Sequence, residues 1–385
     1  MLLQEISGNK PQDKKIKLLI LRVTNDCNLR CGYCYACGGD SLESMSWDVA
    51  RQAVDYALAR SKFLKIQFTG GEPLLNFTLV KKVIDYTKKF PVSFQIQTNG
   101  TLISMAVAEE LKALRVALGV SLDGPPAVND LLRPIKGGEP STMAVIHGLQ
   151  NLGTVGVKVG LTAVLTKEST AYLPRLVELA AYLGNVHGIA LDLLRPMGRC
   201  LPGKILPPPP GLLAQQVKAA LYRSAELAAW GGPLVRFREV ERLRYQLRHK
   251  VARRHYCYAT TGQSLVVMPD GSVYPCSSLA GAPAFYLGNV SEQGFSLSQA
   301  LSEVPFLLRT VDEIEGCRSC PDNWFCGGGC LARAYAYSEQ TDHSYSGDCQ
   351  LKKVFLEHVR ETEAMKSISF TPTPTPTLPH QGGGR

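Results

Sequence analysis

No stretch of this 385-residue chain reaches the ~18 consecutive apolar residues that would suggest a membrane span. The opening residues, MLLQEISGNKPQDKK, lack the roughly 7–15-residue apolar core of a signal peptide. Apart from a proline–threonine alternation near the end there is no internal repeat, which excludes a solenoid or propeller. Charged residues make up only 19% against 45% hydrophobic, the balance of a soluble globular protein rather than a disordered one. The length suits two or three domains, and the expected location is the cytoplasm, where thiols stay reduced.

Against that background, twelve cysteines need a reason. Disulfides suit small secreted scaffolds, so short ordered spacings in a reducing compartment favour metal or cluster ligation. The net charge of +9 is unevenly placed. Residues 236–254 hold eight Lys/Arg against Glu239 and Glu241, a local excess of +6. Such a run is either a solvated helical face or a landing strip for an acidic peptide or nucleic acid.

Six short segments rich in Val, Ile, Leu and Phe read as strands: 17–24, 65–71, 93–100, 116–124, 157–166 and 188–196. Between them apolar residues recur at helical spacing. Trp47, Ala50, Val54, Ala57 and Leu58 follow the candidate N-cap Ser46; Val80, Val83 and Ile84 follow Asn76; then come Val107, Leu111 and Leu114, and Leu176, Ala180 and Leu183. This alternation predicts parallel strands joined by helical crossovers. One face of the strands is polar or small: Gln67 and Thr69; Gln95, Gln97 and Asn99; Gly119, Ser121 and Asp123; Gly160 and Thr162; Asp192. Closed eight-stranded barrels fill their centres with branched apolar residues. Six strands with a polar face instead predict an α/β fold with a partial (β/α)6 barrel, open around a polar ligand.

Composition divides the rest. An N-terminal arm, 1–15, precedes the barrel, 16–200. A Pro-rich linker beginning LPGKILPPPPG and a basic helical bridge fill 201–256, with helices expected at 212–229 and 236–254. Residues 257–350 form a small Cys-rich α+β domain with little periodicity, expected to bury little core unless bound metal organises it. A last helix spans 351–366, and the low-complexity tail 367–385 is expected to be disordered.

Cys27, Cys31 and Cys34 form CxxxCxxC just after the first strand. Three thiolates hold three irons of a [4Fe–4S] cluster and leave the fourth open; a zinc site completed by Cys37 is the competing reading. The next strand ends in Gly70, Gly71 and Glu72, at the rim where parallel barrels place their active sites. CNLRCGYC followed by TGGEP resembles the radical S-adenosylmethionine (radical SAM) family over residues 16–200. The resemblance implies that the open iron chelates SAM, which is cleaved to a 5′-deoxyadenosyl radical that abstracts a substrate hydrogen. It further implies that Gly70, Gly71 and Glu72 hold the methionine ammonium. Ser121 would reach the ribose or carboxylate, and Tyr33 would lie near the adenine. A fourth ligand would block SAM, so Cys37 is expected to be a free thiol.

Seven further cysteines run Cys257, Cys276, Cys317, Cys320, Cys326, Cys330 and Cys349, with Gly271 between the first two. Their order is similar to the SPASM domain, the C-terminal extension of a radical SAM subfamily with two auxiliary [4Fe–4S] clusters. The resemblance implies that Cys317, Cys320, Cys326 and Cys349 bind one cluster and Cys257, Cys276 and Cys330 the other, for three [4Fe–4S] clusters in all. YATTGQ (258–263) lacks the cysteine that closes the inner cluster in some relatives. That cluster is expected to keep an open iron for a substrate group, or to be closed by Cys37 or Cys200.

Enzymes of this subfamily mostly modify peptides, which implies a ribosomally made precursor peptide (RiPP) as substrate, an acidic leader docking near 236–254, and a flavodoxin- or ferredoxin-type electron donor. RPMGR (195–199) also looks like peptide maturases of this group. Thioether formation, cross-linking, epimerisation and splicease-type excision all begin with the same hydrogen abstraction. An anaerobic sulfatase maturase is the alternative. That family has an aspartate base after the second cysteine of the C-terminal motif, whereas YPCSS places Ser277 there. Asp123 and Asp192 are the candidate catalytic residues by position, with Arg133 beside them unless it pairs with Asp130. A zinc-stabilised nucleic-acid binder is the alternative of another class, and it accounts for neither GGEP nor the polar strand faces.

Overall fold

The computed structural model describes residues 15–200 and 203–362. The expected arm, except Lys15, the tail 367–385 and the last four residues of the expected C-terminal helix lie outside the described residues. Among the described residues no helix is long and apolar enough to cross a membrane.

The six expected strands form: β1 (Leu18–Arg22), β2 (Leu64–Thr69), β3 (Val92–Thr98), β4 (Ala117–Ser121), β5 (Val159–Leu165) and β6 (Val186–Leu193). All pair in parallel with their sequence neighbours. In β2 and β5 residues alternate between buried and half-buried. The buried set, with Ile66, Phe68, Leu161 and Ala163, packs under the helices. The other set falls in cross-strand register, Gln67 opposite Gln95, Gln97 opposite Gly119, and Ser121 opposite Thr162. One polar stripe therefore runs around the inside of an arc. Gly119 is required within it: a Cβ there would lie 2.3 Å from the Gln97 side-chain oxygen.

Open arcs have two unpaired edges, and both are covered. β7 (Arg236–Phe237) pairs with β6, and β8 (Ser264–Val267) pairs in parallel with β1, carrying the antiparallel β9 (Val273–Tyr274). The sheet thus has nine strands in the order β7-β6-β5-β4-β3-β2-β1-β8-β9. The Cys-rich region buries apolar residues not on its own but by extending the barrel's core. Leu265, Val267, Phe285, Leu297 and Phe355 belong to the same continuous cluster as Leu19 and Phe68.

Helix starts follow the sequence in part. Ser46 caps Trp47–Leu58, its side chain accepting from the Val49 N–H. Asn76 precedes Phe77–Thr87 but does not cap it; its amide donates to the Val23 carbonyl at 2.9 Å and ties the helix to the end of β1. The expected helix 212–229 is Pro210–Ala229, with proline at its first turn. The expected helix 236–254 is shorter, Arg238–His249, because its first two residues are drawn into β7 and Lys250 turns left-handed at φ 53°. Within the described residues the C-terminal helix is Ser346–Thr362.

Candidate active site

The loop after β1 brings Cys27, Cys31 and Cys34 onto one wall of a cavity of about 620 Å³ enclosed by the arc. Three arginines hold that loop by its carbonyls. Arg30 donates to Cys27, Leu29 and Gly39 at 2.6, 2.9 and 2.7 Å. Arg22 donates to Ala36 at 2.6 Å, and Arg199 of RPMGR donates to Cys31 and Gly38 at 3.2 and 2.9 Å. The backbone N–H groups of Leu29 and Gly38 approach the sulfurs of Cys27 and Cys34, each at 3.4 Å. Such donors favour thiolates, whereas burial raises Cys27 and pushes Cys31 up to about 12. Three converging thiols with preset N–H donors and a cationic collar are the donor chemistry of an iron–sulfur cluster, whose binding displaces the protons. Cys37 is absent from the cavity wall; it sits in a left-handed turn at φ 48° with its N–H on the Cys34 carbonyl.

The GGEP turn works differently from expectation. Gly70 and Gly71 do line the cavity, but their lack of a side chain is required on the other side. A Cβ at Gly70 would lie 2.5 Å from the Thr24 carbonyl, and one at Gly71 2.1 Å from the Asp26 carbonyl. The glycines let the cysteine loop close down on β2. Glu72 is fully buried and does not line the cavity. Its carboxylate accepts from the Leu74 N–H at 3.1 Å, the Thr98 hydroxyl at 2.6 Å and the Asn99 N–H at 2.7 Å. It latches the end of β2 to the end of β3. Burial raises its pKa, against the pull of those three bonds.

Ser121 lines the cavity and takes a hydrogen bond from the Gln97 amide at 3.2 Å. Tyr33 lies on the wall beside Cys31, its hydroxyl donating to Asp123 and accepting from Arg133 at 2.6 Å. Asp123 does not reach the cavity: it is buried and also accepts from the Val164 N–H at 2.8 Å. Arg133 does line it. Asp130 is not its partner, because that carboxylate caps Ser141 and Thr142, both at 2.8 Å.

Asp192 is on the cavity wall and is clamped. Arg195 grips both its oxygens at 2.7 and 2.8 Å, and Arg333 reaches Oδ1 at 2.7 Å. Burial would raise this carboxyl, but Arg195 and Arg333 outweigh it and hold it at about 2. Arg333, nearly inaccessible, also binds Asp348 at 2.6 Å and the Tyr256 hydroxyl at 2.8 Å. Asp348 in turn accepts from the Cys330 N–H at 2.9 Å. An ion ladder therefore joins the barrel to the Cys-rich region.

The seven later cysteines fall into two groups. Cys317, Cys320, Cys326 and Cys349 line one cavity of about 350 Å³. Cys257, Cys276 and Cys330 lie close together: burial, then Cys330 and Cys257, push Cys276 up to about 11, and burial, then Cys330, raises Cys257. Tyr35, next to Cys34 in the first loop, reaches toward this group. Its phenol is pushed up to about 12 by burial, with Arg195, Cys276, Asp192 and Cys34 around it. Among the described residues no three His, Cys, Asp or Glu side chains converge as ligands of a single ion do. Thiols spread around a cavity fit a cluster better than one zinc. Cys200 joins neither group; it packs with Tyr33, Val128, Leu132 and Leu194.

A half-barrel with three thiols at its rim and a polar lining, extended by a cysteine-rich lobe, is the architecture of an iron–sulfur enzyme. The chain belongs to the radical SAM superfamily, whose model matches residues 21–180, and the model of an iron–sulfur cluster-binding domain, SPASM, matches residues 257–321. SAM and [4Fe–4S] clusters are accordingly its cofactors. An uncharacterized protein, MJ0907, of Methanocaldococcus jannaschii is 35% identical over 72% of this chain and 90% of its own length. The radical SAM cyclopropyl synthase TigE of Paramaledivibacter caminithermalis is 26% identical over 91% of this chain and 75% of its own. A serine-type anaerobic sulfatase-maturating enzyme of Klebsiella aerogenes is 26% identical over 80% and 78%. Among solved structures, native anSMEcpe with bound AdoMet and the Cp18Cys peptide superposes with a TM-score of 0.75 at 22% identity, covering 90% of this chain and 97% of that one. That likeness establishes the fold.

Sequence reasoning did not single out Lys65, Tyr35, Arg195 or Arg333 as site residues. Lys65 had a signal, since it precedes Gln67 and Thr69 on the same face of β2. Arg333 had none, because its partners lie 141 and 15 residues away.

Proposed function

We propose that this chain is a cytoplasmic radical SAM/SPASM peptide maturase holding three [4Fe–4S] clusters. Cys27, Cys31 and Cys34 hold the SAM-binding one. Cys317, Cys320, Cys326 and Cys349 hold the outer auxiliary cluster, and Cys257, Cys276 and Cys330 the inner one. Bound there, cluster and SAM supply a 5′-deoxyadenosyl radical that takes a hydrogen from the substrate. The chain's residues bind and orient. Backbone at Gly70 and Gly71, rather than the buried Glu72 carboxylate, faces the methionine ammonium. Arg133 and Ser121 present a cation and a hydroxyl for its carboxylate or ribose, and Tyr33 flanks the adenine. Cys37 and Cys200 lie apart from the inner trio, which supports an inner cluster with an iron free for a substrate group.

The observation that carries the peptide reading is the cavity's charge. Its wall carries several arginines and Lys65, and its one carboxylate among the described residues, Asp192, is clamped ionised by Arg195 of that wall and by Arg333 behind it. A chamber of about 620 Å³ is within the range of sites that hold a drug-sized ligand. Among the described residues no free carboxylate base stands in it, and position 277 is serine, which weighs against the oxidation to formylglycine that the sulfatase reading needs. The basic helix Arg238–His249 would meet an acidic leader, and a flavodoxin or ferredoxin would deliver the electron. The test is to incubate reduced holoenzyme and SAM with the short peptides encoded beside its gene, and separately with Cys- and Ser-containing sulfatase peptides. A mass change in a short peptide, matched by 5′-deoxyadenosine, is expected; aldehyde formation on a sulfatase peptide would overturn the choice.

A further inference from the structure

The end of the cavity away from the cysteine loop carries three cations from two elements. Lys65 stands at the start of β2, and Arg238 and Arg242 lie one turn apart on the helix beside β7. Glu239 is the carboxylate among them, and Arg238 already holds it at 2.7 and 2.9 Å. That leaves Lys65 and Arg242 without a carboxylate partner among the described residues. Burial, then the charge of Arg238, lowers the pKa of Lys65. Asp192 also bears on Arg238, but it is already bridged by Arg195 and Arg333, so the cations turned into the chamber where a substrate must lie outnumber the acids beside them, an electrostatic cost relieved by an anion.

We infer that Lys65, Arg238 and Arg242 form a carboxylate pocket that selects the peptide substrate by an acidic group close to the residue modified. This deepens the peptide-maturase reading and rests on it. From Lys65 to Thr69 the strand rises about 13 Å at ~3.3 Å per residue. An extended peptide covers that in about four residues, so the carboxylate stands no more than about four residues from the reacting one. It is either an Asp or Glu side chain or the peptide's own C-terminus.

The test uses anaerobic holoenzyme with SAM and a pool of random octapeptides, prepared once as free acids and once as C-terminal amides, with retained peptides identified by mass spectrometry. Enrichment of Asp and Glu by about tenfold in the amide pool identifies a side chain; enrichment confined to the acid pool identifies the C-terminus. Arg242 is exposed on its helix, so Arg242→Glu is tolerated by the fold. It should abolish the acidic preference or turn it toward Lys and Arg, and Arg242→Lys should restore it. Retained peptides with no acidic preference, or an unchanged preference in Arg242→Glu, overturn the pocket and leave the peptide reading standing. Retention of no peptide overturns both.

Discussion

Glu72 offers the sharpest separation between a ligand contact and a structural latch. Its Oε1 accepts from Leu74 N–H and Thr98 Oγ1, and its Oε2 from Asn99 N–H. Glu72→Gln keeps the shape but replaces one oxygen with an NH2. In the better orientation one acceptor position is lost and the Asn99 N–H faces another donor. A buried donor left unsatisfied costs about 2 kcal/mol. At about 1.2 °C per kcal/mol for a chain of this size, the thermal midpoint of the anaerobic holoenzyme should fall by roughly 2–3 °C. SAM affinity, measured by equilibrium dialysis, should change less than about threefold, below the tenfold that 1.4 kcal/mol produces. A pH signature goes with it. Because burial raises this carboxyl in the fold, its contribution is full below the unfolded value, about 4.3, and is lost as pH rises through the folded one; the glutamine variant should lack that slope. An unchanged midpoint with SAM affinity down tenfold or more would refute the latch and restore Glu72 as the ammonium's partner.

Other consequences are as direct. Arg333→Met strands the buried Asp348 and loosens Asp192, so it should destabilise the protein by about 3–5 kcal/mol and weaken iron retention; an unaltered unfolding midpoint would contradict the ladder. With its carboxyl held near 2, Asp192 contributes stability that is fully present above its unfolded value and lost only as pH falls through about 2. It therefore stays ionised at neutral pH: Asp192→Asn should lower turnover without moving either limb of the pH–rate profile, and a shifted limb would mark it as a base after all. Cys37→Ala should keep the full iron content, and loss of about four irons would make Cys37 a ligand.

Much of this was legible in the sequence, for identifiable reasons. Period-two alternation in LKIQFT and VGLTAVL is a local property, and the strands and their polar face follow from it. Cysteine spacing is likewise local, and the grouping of Cys317, Cys320, Cys326 and Cys349 around one cavity agrees with it. What could not be read is what depends on approach between distant segments. GGEP looks like a ligand turn, yet its glycines answer to the carbonyls of Thr24 and Asp26, some 45 residues upstream. Asp123 and Asp192 share a strand-face pattern, but one is spent on Tyr33 and Val164 and the other on two arginines. Strand β8 reads as part of a cysteine-rich domain, while its pairing with β1 makes it a continuation of the barrel sheet.

Cys27, Cys31 and Cys34 alone are proposed to carry the SAM-cleaving cluster, beside two others. Iron content and 5′-deoxyadenosine formation, measured together on anaerobic wild type and on the Cys27→Ala/Cys31→Ala/Cys34→Ala variant, test it most directly. The prediction is about twelve irons falling to about eight, with 5′-deoxyadenosine abolished. A variant that still forms 5′-deoxyadenosine, or a wild type that binds zinc and no iron, would contradict it.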